Sequence, residues 1–195
     1  MRIIAGTLRS RTLQAPPGLA TRPTSDRLRE TLFNVLAPRI EGAHFLDLYS
    51  GSGAVGIEAN SRGAARVICV ENAVGALKVL RANLISLKLK QGIEVQAGAV
   101  KAYLSHETRT PGFDIVFLDP PYDAASEYEI TLGLLGGRAR GLLHEGVIVI
   151  AEHRRKDKLP DAVGALSRTR LLQQGDASLS FYAINEQSKH EEEDA

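Results

Sequence analysis

The tetrapeptide Asp119-Pro120-Pro121-Tyr122 combines residue types that could do chemistry on a nitrogen. Consecutive prolines fix the backbone and remove two N–H donors, which leaves carbonyl oxygens free to face a substrate. The Asp119 carboxylate and the Pro120 carbonyl then make a pair of acceptors suited to an exocyclic amino group. Tyr122 offers a flat face on which a base can stack, worth about 1–3 kcal/mol. An aromatic amine is a poor nucleophile because its lone pair is delocalised into the ring. Two acceptors holding its hydrogens bias the nitrogen toward a tetrahedral shape and free that pair to attack an activated methyl group in line. Positioning and electrostatics then carry the reaction.

A second cluster lies upstream, in Asp47-Leu48-Tyr49-Ser50-Gly51-Ser52-Gly53-Ala54-Val55-Gly56. An apolar run enters a glycine turn and leaves as a helix, the layout of a nucleotide-binding loop, in which the backbone approaches its ligand too closely for side chains. Gly51, Gly53 and Gly56 fit GxGxxG, and Glu71 follows Gly51 by about 20 residues, where a carboxylate can accept both ribose hydroxyl protons. Nicotinamide oxidoreductases and methyltransferases share that pattern. Asp47 separates them, because an acid beside the loop repels a pyrophosphate and suits a cofactor with a positive amino-acid part. S-adenosylmethionine carries both an ammonium and a sulfonium. The bland alternative is that Asp47 caps a turn and the glycines serve packing.

Other chemistry finds little support. The five histidines (44, 106, 144, 153, 190) have no metal-ligand spacing, so no metal is expected. Cys69, the only cysteine, stands in the apolar run Val67-Ile68-Cys69-Val70 and reads as a buried structural thiol in a reducing cytoplasm. No apolar run approaches the roughly 18–20 residues that cross a bilayer, and the first residues lack a signal-peptide core, so neither membrane nor export is expected.

The elements that must position these residues follow from periodicity. Short apolar runs near 44–49, 66–71, 92–96, 113–118 and 146–152 alternate with helical stretches near 54–63, 73–89, 99–105 and 126–137, the signature of βα units around a mostly parallel sheet. In the stretch 73–89, Val74, Leu77, Leu80, Leu84 and Leu87 recur at helical spacing. Two β-type runs flank Gly175-Asp176, a hairpin signal. The expected fold is α/β and Rossmann-like, a mostly parallel seven-stranded sheet with a C-terminal antiparallel hairpin. Ahead of it, Arg2-Ile3-Ile4-Ala5-Gly6 and Thr12-Leu13 predict a small hairpin, followed by a Pro-rich link and a helix from about Thr24 to Leu36, capped by Thr24 or Ser25. This divides 195 residues into an N-terminal extension (1–40), one catalytic domain (41–185) and a tail (186–195).

The net charge of +1 hides an asymmetry. Residues 1–40 hold seven arginines against two acids, the tail holds five acids against one lysine, and the middle is balanced. Arginine pairs bidentately with phosphate and stacks on bases, so the extension points to nucleic acid, although some of its arginines will pair with acids of the domain. The tail reads as solvated and disordered.

Taken together, Arg2-Ile3-Ile4-Ala5-Gly6, Arg22-Pro23-Thr24-Ser25-Asp26-Arg27-Leu28-Arg29-Glu30, Leu46-Asp47-Leu48-Tyr49-Ser50-Gly51-Ser52-Gly53 and Asp119-Pro120-Pro121-Tyr122 resemble the RsmD family over nearly the whole chain up to the tail. Its members are S-adenosylmethionine-dependent methyltransferases of class I fold that modify the N2 amino group of one guanine in 16S ribosomal RNA, a 966-type site. The resemblance implies that Asp47, Ser50, Gly51 and Gly53 hold the methionine end of the cofactor, Glu71 the ribose, and Asn72 the neighbourhood of the adenine. It places Asp119, Pro120 and Tyr122 at the target base. Arg22, Thr24 and Arg27 would stand at the pocket mouth, Thr24 toward the cofactor, and Arg2, Arg9, Arg11, Arg22 and Arg27 would meet RNA as part of a lid. The substrate implied is 16S rRNA, free or in a small-subunit assembly particle, with the enzyme acting as a monomer.

The chain departs from the family at one point. Such enzymes often carry Gly-Asp-Ala where this chain reads Gly98-Ala99-Val100, so the acid that receives the adenine amino group is missing, and a backbone carbonyl near Gly98 or Ala99 is expected in its place. Three rivals stay open: an adenine-N6 methyltransferase of DNA or RNA, a nicotinamide oxidoreductase built on Gly51, Gly53, Gly56 and Glu71, and a non-catalytic RNA-binding module.

Overall fold

The five apolar runs form five parallel strands; those near 44–49, 66–71 and 113–118 are buried on both faces and carry no polar alternation, whereas Ile93–Ala97 lies at the sheet edge, where Glu94 and Gln96 are exposed. The computed structural model describes residues 1–15, 26–106, 112–121 and 125–185. In chain order the elements are α1 (Asp26–Leu36), β1 (His44–Leu48), α2 (Ala54–Ser61), β2 (Arg66–Glu71), α3 (Val74–Ser86), β3 (Ile93–Ala97), α4 (Val100–Ser105), β4 (Phe113–Leu118), α5 (Ala125–Leu135), a 3-10 helix (Arg138–Leu142), β5 (Leu143–Arg154), β6 (Ala162–Val163), β7 (Leu166–Gln174) and β8 (Ala177–Ile184). They make one sheet in the order β3-β2-β1-β4-β5-β8-β7-β6. Strands β1 to β5 run parallel, while β8 enters antiparallel between β5 and β7.

The sheet separates two cores. Leu28, Leu32 and Phe33 of α1, Ile57 of α2 and Leu80 of α3 pack on one face with Phe45, Val67 and Ile115. Val100 and Leu104 of α4 and Tyr128, Leu132 and Leu135 of α5 cover the other with Leu46, Ile68 and Val116.

The expected architecture holds with one correction of count. The sheet has eight strands among the described residues rather than seven, because the two-residue β6 pairs with β7 across Gly164, a bridge too short to leave an alternation in the sequence. The hairpin turns at Gly175-Asp176 as read, but β5 starts earlier and ends later than the expected 146–152, running on through His153 and Arg154. The helix α3 stops at Ser86, and Lys88 follows in the left-handed region. At the N-terminus the expected hairpin is a single antiparallel bridge, Arg2 to Thr12. The candidate caps Thr24 and Ser25, the Pro-rich link and the tail lie outside the described residues.

Residues 1–15 pack closely against the sheet and its helices. Ile3 and Leu13 enter the core. The fully buried Glu58 of α2 accepts the Ile4 and Ala5 N–H groups at 2.7 and 2.9 Å. Its carboxylate also takes Arg62 Nε at 2.8 Å and lies 3.7 Å from Arg29 Nε. Next door, Ser61 Oγ donates to the Ala5 carbonyl and accepts the Leu8 N–H. Gly6 is obligatory here: its φ is +82°, and a Cβ would lie 1.8 Å from the Ser61 carbonyl oxygen. Asn83 of α3 completes the strap, accepting the Gln14 N–H and donating to the Gln14 and Ser52 carbonyls.

Candidate active site

The registers put the candidate residues on one edge of the sheet. Leu48 of β1 stands level with Val70 of β2 and with Leu118 of β4, so Glu71, Tyr49 and Asp119 are the next residues on three adjacent strands, all at the carboxyl ends. Adjacent strands are about 4.8 Å apart, which sets Glu71 and Asp119 roughly 10 Å from each other with the glycine loop rising between them. Ligands bind at this edge in open α/β sheets.

The loop is built by backbone needs. Gly51 and Gly53 have φ of +55° and +79°, and Gly53 closes the turn by donating to the Ser50 carbonyl at 2.8 Å. Ser50 Oγ donates to the Asp47 carbonyl at 2.7 Å, so this side chain braces the turn. Asp47, 1% exposed, lies beneath the loop, where its Oδ2 accepts the Gly56 N–H at 2.8 Å. A Cβ at Gly56 would lie 2.6 Å from Cys69 Sγ and 3.0 Å from that same Oδ2, so the third glycine of the motif lets α2 settle on the sheet. Cys69 is a buried free thiol, and burial pushes its pKa up.

Glu71 is buried and hydrogen-bonded on both oxygens. Oε2 accepts the Gly51 N–H, and Oε1 accepts the Asn72 and Ala73 N–H groups, each at 2.8 Å. This carboxylate ties β2 to the loop and keeps one acceptor direction on Oε2 for a ligand hydroxyl. Asn72, Gly98 and Ala99 are exposed beside it, and the Gly98 N–H donates to the Glu71 carbonyl at 2.9 Å. A cleft of about 520 Å³ runs from Gly98 and Ala99 over Ile68, Val70, Gln96 and Tyr103, and Asp119 does not line it.

Asp119 follows β4 directly, partly buried, with its N–H 3.5 Å from the Leu48 carbonyl oxygen. Pro120 is buried and Pro121 exposed. Among the described residues no hydrogen bond reaches the Asp119 carboxylate. Tyr122, Arg22 and Thr24 lie outside the described residues. Of the other candidate RNA contacts, Arg2, Arg9, Arg11 and Arg27 are all exposed, and Arg2 Nε is 3.6 Å from Asp26. Among the described residues no group of His, Cys, Asp and Glu could hold a metal ion, and no helix is long and apolar enough to cross a membrane.

The electrostatics of the edge are one-sided. Burial pushes the pKa of Asp47 up to about 8, the Gly56 N–H works against that rise, and the charges of Asp119 and Glu71 add to it. Burial likewise pushes Asp119 up to about 7. The free protein therefore holds protons at neutral pH that the unfolded chain releases near 3.8. Where the folded state binds more protons, stability falls as pH rises, here across the window from about 4 to about 8. Melting wild type and Asp47→Asn at pH 5 and pH 8 is expected to give a smaller pH-dependent drop for the variant, whose amide still accepts the Gly56 N–H. Equal drops would mean that Asp47 does not set the pH dependence of stability.

Sequence reading missed Tyr49, which has a φ of +61°. Its hydroxyl donates to Glu127 Oε2 at 2.8 Å and lies 2.7 Å from Thr131 Oγ1. The side chain thus joins the cofactor-type loop to α5, the helix that follows the proline corner. A tyrosine inside a glycine loop was the available signal, but its partners are 78 and 82 residues away.

A protein-family profile described as "Conserved hypothetical protein 95" matches residues 1–183. The chain is 37% identical over 183 residues to "Putative rRNA methyltransferase YlbH" of Bacillus subtilis (strain 168), covering 93% of this chain and 98% of that protein. It is 39% identical over 160 residues to "Ribosomal RNA small subunit methyltransferase D" of Escherichia coli (strain K12), covering 82% and 78%. Among solved structures, "Putative methyltransferase yhhF from Escherichia coli" superposes with a TM-score of 0.82 at 34% identity, covering 95% of this chain and 98% of that one.

Proposed function

From the chain's membership of the RsmD family, we propose that it is a ribosomal RNA methyltransferase that uses S-adenosylmethionine to methylate the N2 amino group of a guanine in the small-subunit RNA. The observation that carries this reading is the shared level of Glu71, the glycine loop and Asp119 on one edge. A donor site and an acceptor for an amino group stand side by side there.

The donor set fits the cofactor. Asp47, Glu71 and Asp119 are three carboxylates, and both of the charges raising the Asp47 pKa are negative, so a cationic ligand relieves a repulsion already present. Asp47, Ser50, Gly51 and Gly53 would hold its methionine end, Glu71 the ribose hydroxyls, and Asn72, Gly98 and Ala99 the adenine, with Thr24 at the mouth. When bound, the cofactor supplies a methyl group on a positively charged sulfur. Asp119 and the Pro120 carbonyl accept the hydrogens of the target amine and orient its lone pair, and Tyr122 stacks on the base. The base must leave its stack to reach this corner, which costs a few kcal/mol unless the nucleotide is already unpaired. Arg2, Arg9, Arg11, Arg22 and Arg27 would meet the RNA backbone.

Ala99 has a specific consequence. It precedes α4 in an extended conformation with no side-chain cap, so no carboxylate stands where an adenine amino group would look for one. A hydrogen bond to a charged acceptor is worth about 1.5–3 kcal/mol. Ala99→Asp is therefore expected to tighten S-adenosylmethionine binding about tenfold in calorimetry, and equal affinity would contradict the assignment of the adenine end.

Mass mapping of small-subunit rRNA from cells lacking this gene tests the function as a whole. One N2-methylguanosine is expected to disappear and to return with the wild-type gene. An unchanged modification map would overturn the reading.

A further inference from the structure

Along the carboxyl edge the strand order continues past Asp119 to β5 and β8. Leu118 is level with Ala151, so Asp119 is level with Glu152, and β5 runs two residues further to Arg154, still paired with Ala177 of β8. At about 3.3 Å per residue that is an overhang of roughly 7 Å beside the proline corner. The chain then bends over the β7–β8 turn, where the Arg155 N–H donates to the Asp176 carbonyl at 2.7 Å. A cleft of about 490 Å³ opens here, lined by Arg154, Arg155, Lys156 and Asp176.

The charge of this overhang is concentrated. From residue 154 to 158 there are four cations and one acid, and Arg155, Lys156 and Lys158 are exposed. The helix α1 brings another cation: Thr31 Oγ1 lies 3.0 Å from Gln174 Oε1 beside the turn and 3.0 Å from the carbonyl oxygen of the exposed Arg27, one helical turn earlier. The edge therefore reads, in order, the Glu71 carboxylate, the glycine loop, the Asp119 carboxylate and a cationic wall. A polyanion with one base at Asp119 has its sugar-phosphate chain beside that wall, in which cations outnumber Asp157 and Asp176, while Glu71 lies on the other side of the glycine loop.

Resting on the function proposed above, we propose that the overhanging end of β5, through Arg155, Lys156 and Lys158 with Arg27 across the β7–β8 turn, is the track that holds the RNA backbone next to the target nucleotide. Each phosphate neutralised releases condensed counterions, so the track sets the salt dependence of RNA binding. It is built from a segment whose cations the overall charge balance of residues 41–185 conceals.

The test uses the full chain with Arg155, Lys156 and Lys158 all changed to serine. A control carries serine at Arg39, Lys90 and Arg138, three exposed cations that precede β1, β3 and β5 and so mark the opposite edge. Binding to small-subunit RNA is measured between 50 and 200 mM salt, and methyl transfer is followed with labelled S-adenosylmethionine. For the track variant the slope of log affinity against log salt is expected to fall by about 2 and the KM for RNA to rise about tenfold, with kcat and S-adenosylmethionine affinity unchanged. The control is expected to keep the wild-type slope. An unchanged slope in the track variant, or an equal loss in the control, overturns the proposal. Absence of methyl transfer to rRNA by the wild type overturns the functional reading instead, because RNA binding and its salt slope are scored without transfer.

Discussion

Replacing Asp119 by alanine is expected to lower methyl transfer about 10²–10³-fold, the loss that follows removal of one preorganised electrostatic partner of the reacting group. Fold and cofactor affinity should survive. Within the described residues no hydrogen bond reaches this carboxylate, so its removal orphans no donor, and burial already pushes its pKa up to about 7. Loss of a group that costs energy to ionise does not lower stability at neutral pH. The same shift gives a pH signature. The carboxylate accepts amine hydrogens best when ionised, so the wild-type rate is expected to rise with pH and level off above about 7. Asp119→Asn should flatten that rise. Single-turnover assays beside melting curves check both, and a variant that keeps substantial turnover removes Asp119 from the mechanism.

The largest expected loss of stability comes from a residue that touches no substrate. Glu58 is fully buried, accepts two backbone N–H groups of the N-terminal strap, pairs with Arg62 and lies near the buried Arg29. Removing one partner of a buried ion pair costs about 3–5 kcal/mol, because the other charge stays desolvated. Glu58→Ala is therefore expected to lower the melting temperature by about 10 °C, at roughly 2–4 °C per kcal/mol in a domain of this size. Glu58→Gln, which keeps an acceptor for the strap, should lose less. Equal losses in the two variants would mean that packing, not the hydrogen-bonded charge, sets the effect.

These two residues mark where sequence reading succeeds and where it stops. The position of Asp119 at the carboxyl end of its strand was legible because its setting is local: an apolar run ends there and two prolines follow. The glycine loop was legible for the same reason, since Gly51, Gly53 and Gly56 answer to backbone geometry within a few residues. Glu58 was not singled out in the sequence, because its partners, Ile4 and Ala5, are more than 50 residues away. Arg29, counted in the sequence with the arginines of the basic extension, is buried against Glu58, Asp26 and the Arg2 carbonyl and so braces the fold. The end of β5 was read two residues short because His153 and Arg154 follow Glu152 as a polar stretch that breaks the apolar run. Glu152 and His153 are nevertheless buried, His153 bonding Ser180 Oγ at 2.9 Å. That polar stretch carries the strand past the edge, and the cationic wall with it.

On the proposed function, the proline corner presents acceptors to a guanine N2 amino group. Incubating the purified protein with labelled S-adenosylmethionine and a small-subunit RNA fragment, with the target guanine either intact or replaced by inosine, which lacks that amino group, tests it most directly. N2-methylguanosine is expected from the intact fragment, and no label on the inosine fragment. Label retained on inosine, or found as a methylated adenine, would contradict that function.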